Sequence, residues 1–172
     1  RGEGLRLRCG MTHYVAVRAS NCAGLQRTVA SSGATLCCAP PRRGHVELVD
    51  GSGSRLRFLG NASSQWAYAT WKDFSDSCSG VRELRVALLD VASGAELWRS
   101  APVNATESSL LLPADVLASL AHGMEILLSV TATNRAGLAV TATERVAVDR
   151  TPPAAAHVYN AIMANVACHP FG

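Results

Sequence analysis

The chain contains a copy of part of itself. L-R-L-R-C-G-M-T-H-Y-V-A-V-R-A-S-N-C-A-G-L at 5–25 returns as L-A-S-L-A-H-G-M-E-I-L-L-S-V-T-A-T-N-R-A-G-L at 117–138. Gly10, Met11, Asn21, Ala23, Gly24 and Leu25 fall on Gly123, Met124, Asn134, Ala136, Gly137 and Leu138, all at one offset of 113 residues. A second pair, P-P-R-R-G-H-V at 40–46 and P-P-A-A-A-H-V at 152–158, is offset by 112. One small indel therefore separates two copies of a single unit, and a repeat period defines the folding unit before any fold is chosen. The phase predicts three pieces: the C-terminal half of a first unit at 1–41, a complete unit at 42–151, and the start of a third unit or a disordered tail at 152–172. A unit of about 110 residues is an ordinary size for a domain with its own core.

The repeated stretch reads as a strand. His13, Val15, Val17 and Ala19 alternate with polar or smaller residues, as do Ile126, Leu128, Val130 and Ala132; period two marks a half-buried strand. Asn-x-Ala-Gly closes it at 21–24 and 134–137, where Asn and Gly suit a tight hairpin. The return strand ends in V-A-V-D at 146–149, and T-P-P then stops the pairing, because proline has no N–H to donate. Within 42–151, strands are expected at 45–49 and 65–71, from 81 onward, at 95–99 and at 108–112. The first is expected to continue through 55–59 with Leu56 and Phe58 on one face. In the strand from Val81, Leu84, Val86 and Leu88 should face inward and Glu83, Arg85 and Ala87 outward. A helical turn at 113–122 would open on Pro113 and end at Gly123. Some seven strands with turns every 8–12 residues indicate an all-β sandwich.

Fifteen arginines and the single Lys72 give a net charge of only +3, with no basic run longer than Arg42-Arg43. Nucleic-acid binding needs basic residues gathered on one face, so no nucleic-acid partner is expected. No apolar stretch approaches the ~20 residues of a membrane span. Asn61-Ala62-Ser63 and Asn104-Ala105-Thr106 both fit the N-glycosylation pattern. With an even count of six cysteines, they point to the secretory pathway. Residues equidistant from the turn near Cys22 should face each other across the hairpin, which sets Cys9 opposite Cys38 or its neighbour Cys37. Adjacent cysteines rarely bond each other, so one of that pair is left over.

W-K-D-F-S-D-S-C-S-G-V-R-E-L-R-V-A-L at 71–88 resembles the W-x-x-F-x-D-x-x-S-G-I-x-x-Y signature of divergent fibronectin type III-like repeats. The repeated strand with its N-x-A-G turn and the V-x-V-D-x-T-P-P ending belong to the same pattern. The resemblance implies tandem immunoglobulin-like sandwiches of large secreted or cell-surface proteins. Leu84 departs from it where the family usually has Tyr, as do His13 and Ile126 where it has an aromatic, and residues 161–172 match nothing. By analogy with that sandwich, Cys78 sits at the pole where the chain enters the second unit, facing the pole where it leaves the first. The leftover cysteine is then expected to bond Cys78 and clamp the joint.

Other chemistry is sparse. Asp73, Asp76 and Asp149 are candidate calcium ligands at domain joints, although acidic turn residues equally serve local hydrogen bonds. No nucleophile elbow, zinc-protease motif or phosphate loop is present, and no cofactor is expected. His45 and His157 are equivalent positions of successive units, which makes them structural; His13, His122 and His169 are scattered. Trp71 should fill the core and Trp98 should pack at a strand edge. Trp66, of opposite parity to Trp71, is the candidate contact residue. The function expected is a non-enzymatic extracellular spacer, adhesion or ligand-display segment whose neighbours are repeats of the same chain. Alternatives are a receptor-type ectodomain binding a protein or glycan through its B–C and F–G loops, 73–80 and 134–138, or an accessory module of a secreted enzyme.

Overall fold

The structure, a computed structural model, describes residues 4–61 and 66–153. The first strands are β1 Thr12–His13, β2 Ala16–Ser20, β3 Gln26–Ala30 and β4 Ala34–Thr35. They are followed by β5 His45–Val49, β6 Phe58–Leu59, β7 Tyr68–Lys72, β8 Val81–Asp90, β9 Glu96–Arg99, β10 Val103–Asn104 and β11 Ser109–Leu111. A short helix α1, Ala114–Ser119, precedes the long hairpin of β12, Glu125–Asn134, and β13, Ala139–Val148.

Two sheets face each other. One has the order β11-β7-β5; the other runs β10-β8-β12-β13-β6, with β9 also paired to β8. Strand β5 packs across onto β12 and β13. Alternation decides what meets in the middle. Val46 and Leu48 from β5, Ala69 and Trp71 from β7, Leu84, Val86 and Leu88 from β8, and Ile126, Leu128, Val130 and Ala132 from β12 form one buried cluster. The chain is therefore mostly β, arranged as a two-layer sandwich.

Two side chains close its sides. Glu144 faces inward on β13, where its Oε2 accepts the Leu48 N–H at 2.9 Å and its Oε1 pairs with Arg55. It bridges the rims of the two sheets and satisfies a backbone donor that β5 would otherwise leave open. Below, Leu117 and Leu120 plug one end of the core. Arg150 holds that plug by donating from Nη2 to the helix-end carbonyls Leu117 O at 2.8 Å and Ala118 O at 3.0 Å.

Several expectations need correction. Residues 55–59 do not continue the first strand. Arg55 bridges back to Val49 and Leu56 N–H donates to Leu48 O at 2.7 Å, but Phe58 and Leu59 then cross to the other sheet and pair in parallel with Ala147 and Val148. Leu56 and Phe58 therefore do not share a face: Leu56 packs against the core and Phe58 is exposed, while Leu59 is buried. Ala87 points outward yet is buried; it lies directly opposite Ser129, and two small side chains side by side are shielded by longer neighbours. Gly123 does not end α1. It takes φ +83° in a separate turn and donates to Val148 O at 2.8 Å. The expected strand at 65–71 is shorter and shifted, and its residue 65 lies outside the described residues, as do the third-unit residues 154–172 with His157 and His169.

The first copy of the repeat behaves differently from the second. Strands β2 and β3 are exposed along their whole length: their alternation marks one face for burial, but the described residues of 1–41 form no strands that would cover it. Their pairing nonetheless reproduces the second copy. Ala19 lies opposite Arg27 and Val17 opposite Val29, as Ala132 lies opposite Val140 and Val130 opposite Ala142. The indel is visible between β3 and β4, where the register moves by one residue so that His13 faces Ala34 and Thr12 faces Thr35. The extra residue sits in Ser31–Gly33, a local bulge.

Candidate functional site: a disulfide-clamped joint

The bulge in the first hairpin selects a disulfide. Without the extra residue the hairpin register would bring Cys37 opposite Cys9. With it, Gly10 N–H donates to Leu36 O and Leu36 N–H to Met11 O, and the next position across from Cys9 is Cys38. Cys9 is bonded to Cys38, with Cα atoms 5.6 Å apart. Cys37, one residue earlier, faces the other way because successive side chains of an extended chain alternate. It is bonded to Cys78, with Cα atoms 5.8 Å apart. Cys22 is a free thiol, exposed at the hairpin tip.

The segment 37–44 is thereby laid across the pole formed by loops 73–80 and 134–138. Asn134 is the keystone of this contact and is fully buried. Its Oδ1 accepts the Leu138 N–H at 2.8 Å, which shapes the hairpin tip. Its Nδ2 donates to Asp76 Oδ2 at 3.0 Å and to Ala39 O at 3.3 Å. Asn21, the matching residue of the first copy, accepts the equivalent Leu25 N–H, and that of Ala23 as well, but stays exposed. One repeated asparagine thus serves only a turn in one copy, and a turn plus a joint in the other. Arg42 N–H donates to Ser75 O at 2.7 Å, and Arg135 N–H to Gly80 O at 3.2 Å. Gly44 rests directly on the carbonyl of Lys72 and the ring of Phe74.

Asp76 organises the loop that carries Cys78. Its Oδ1 accepts the N–H groups of Cys78, Ser79 and Gly80 at 3.2, 2.7 and 3.0 Å. The Asn134 amide, together with these backbone donors, holds its carboxyl below the usual aspartate range. A carboxylate depressed in the folded state adds stability that is complete above its unfolded pKa of about 4 and is lost as pH falls through the lower folded value. Asp50, Asp90 and Asp149 are depressed by their own turn hydrogen bonds, so the wild-type protein has an acid limb with several contributors. Asp76→Asn should lower stability near neutrality and flatten that limb below about pH 4. Melting temperature measured from pH 7 to pH 2.5 checks this; parallel curves for variant and wild type would remove Asp76 from the joint.

The three calcium candidates do not converge. Asp76 bonds Asn134 at the end of β12, while Asp149 follows β13 at the opposite end, beside His122 at 3.5 Å. The ten residues of β12 set these about 30 Å apart. Asp73 adopts φ +65°, a left-handed turn conformation that Asp tolerates better than most residues. Among the described residues no three His, Cys, Asp or Glu side chains come together as a metal site.

The tryptophans separate by environment. Trp71 is buried and donates from Nε1 to Glu107 O at 2.9 Å; Trp98 packs from the edge strand β9 against the core. Trp66 is 59% exposed and lies beside the turn at Gly51, at the end of the sandwich away from the joint. Asn61 and Asn104 are exposed; Ala62 and Ser63, the remainder of the first sequon, lie outside the described residues. Among the described residues no helix is long and apolar enough to cross a membrane. Two disulfides fit an oxidising compartment. No known family model matches the chain, and no curated protein matches its sequence.

Proposed function

We propose that this chain is a non-enzymatic segment of a secreted or cell-surface protein, built from tandem fibronectin type III-like sandwiches, and that its role is to hold successive units at a fixed angle. The observation that carries this reading is the Cys37–Cys78 disulfide. It ties the hairpin that matches the end of one unit to the loop at the head of the next. The three-strand sheet of β5, β7 and β11 facing the sheet of β8, β12 and β13 supports the family reading, as does the shared register of the two hairpins. Loops 73–80 and 134–138, which a receptor would use for a ligand, already bond Cys37, Ala39 and Arg42. That favours a joint over a binding surface at this pole.

The free thiol of Cys22 allows a direct test. With the sixth cysteine removed by Cys168→Ser, a spin label on Cys22 and a second at Ala92→Cys, an exposed turn position, report the distance between the hairpin tip and the sandwich. The full chain should give one narrow distance distribution by double electron–electron resonance. Cys37→Ser/Cys78→Ser should broaden it at least twofold. An equally narrow distribution in that variant would remove the clamp from the role proposed.

A further inference from the structure

The larger sheet has an open edge that nothing in the described chain covers. Strand β8 pairs on that side with β9 and β10, and the outer rims of both short strands are bare. The edge carries Glu96, Leu97, Trp98 and Arg99. Leu97 is the extra residue of a bulge, since Leu88 faces Trp98 and Leu89 faces Glu96, and it is 37% exposed. Open edges are templates for pairing with another chain, and proteins blunt them with bulges, charges and covers. Here the bulge, the Glu96–Arg99 ion pair and Pro102 supply the first devices. They leave the next residues, 103 and 104, with a ladder bond on one side only.

Asn104 stands at that position, and its sequon is already shaped. Its Oδ1 accepts both the N–H and the Oγ1–H of Thr106, each at 3.1 Å. The Glu107 N–H closes the turn on Asn104 O at 3.0 Å. The Asn104 side chain is exposed, and its Nδ2 makes no hydrogen bond among the described residues. The Thr106 hydroxyl thus polarises the amide oxygen and leaves the amide nitrogen facing solvent.

We propose that Asn104 is an N-glycosylation site and that its glycan is the missing cover of the β9–β10 edge. The donor class is an oligosaccharide on a lipid diphosphate. The bond between Asn104 Nδ2 and the sugar C1 forms as the C1–O bond to the diphosphate breaks. The diphosphate leaves with the electron pair, and one amide proton passes to base. This rests on the secretory placement proposed above.

The full 172-residue chain, fused to a cleavable secretion signal and produced in a eukaryotic host, tests it. Peptide mapping of the secreted product should find Asn104 glycosylated, with the modification abolished by Asn104→Gln and by Thr106→Ala. Secreted protein with Cys37–Cys78 intact but Asn104 bare overturns the inference and leaves the joint reading standing. Secreted protein with free Cys37 and Cys78 overturns the joint reading whatever Asn104 carries. In an Asn61→Gln background, where Asn104 carries the one remaining sequon, enzymatic removal of the glycan under native conditions should give at least threefold more self-association by sedimentation velocity than in the glycosylated sample. Leu97→Lys should suppress that gain. Unchanged association on glycan removal would overturn the covering role.

Discussion

Replacing Gly44 by alanine should cost the sandwich about 3 kcal/mol, a fall in melting temperature of about 12 °C for a unit of this size. A Cβ at this position would lie 2.2 Å from Lys72 O, 2.6 Å from Phe74 Cδ2 and 2.8 Å from Phe74 N. The Phe74 ring could turn aside, but the Lys72 carbonyl could not. Lys72 is paired with His45, the residue after Gly44, at the end of the β5–β7 ladder. Moving either backbone breaks that pair and displaces Arg42 from Ser75. Gly53→Ala is the control. Gly53 takes φ +84° with nothing within 4 Å of the added carbon, so its cost is conformational and about 1 kcal/mol. Thermal melts should rank wild type, Gly53→Ala and Gly44→Ala in descending order. Equal melting of the two variants would show that the close approach at Gly44 is not what fixes the linker.

What the sequence makes legible follows from what depends on local pattern. The inward positions of β8 and β12 are readable because alternation over ten residues leaves one register for the buried face. Leu56 to Leu59 misleads because four residues carry too little periodicity to show that the chain changes sheet. The exposed first hairpin is a different case: alternation records which face is suited to burial, not whether anything covers it. In the joint, the candidate partners of Cys9 narrow to two from the hairpin centre alone. The choice between them depends on one bulged residue, whose presence shows only as the difference between offsets of 113 and 112. Asn134 and Glu144 are missed as tertiary contacts. The asparagine is fully accounted for by its turn, and nothing local marks an inward glutamate on an apolar strand as paired. Gly44 does leave a signal: a glycine immediately before a strand, with no turn for it to make, implies close backbone approach.

The two disulfides should differ sharply in what they stabilise, and loop length is not the reason. Cys37–Cys78 spans 41 residues and Cys9–Cys38 spans 29. On chain entropy alone the two closures are worth similar amounts, about 4 kcal/mol and slightly less. The closed segments are unlike, however. Residues 37–78 include β5, β6 and β7, which supply Val46, Leu48, Leu59, Ala69 and Trp71 to the core, so opening that loop enlarges the freedom of the unfolded sandwich itself. Residues 9–38 contain only the hairpin, whose strands β2 and β3 bury nothing. Their order is not coupled to the cooperative unit, and a cross-link confined to them cannot hold that unit together. Cys37→Ser/Cys78→Ser should therefore lower the main melting transition by roughly 15 °C. Cys9→Ser/Cys38→Ser should leave it within about 1 kcal/mol of wild type while abolishing amide-exchange protection in β1 and β4. Calorimetry of the two variants under identical conditions separates the cases. Equal losses would mean that the hairpin and sandwich unfold as one body, and that the joint transmits stability as well as orientation.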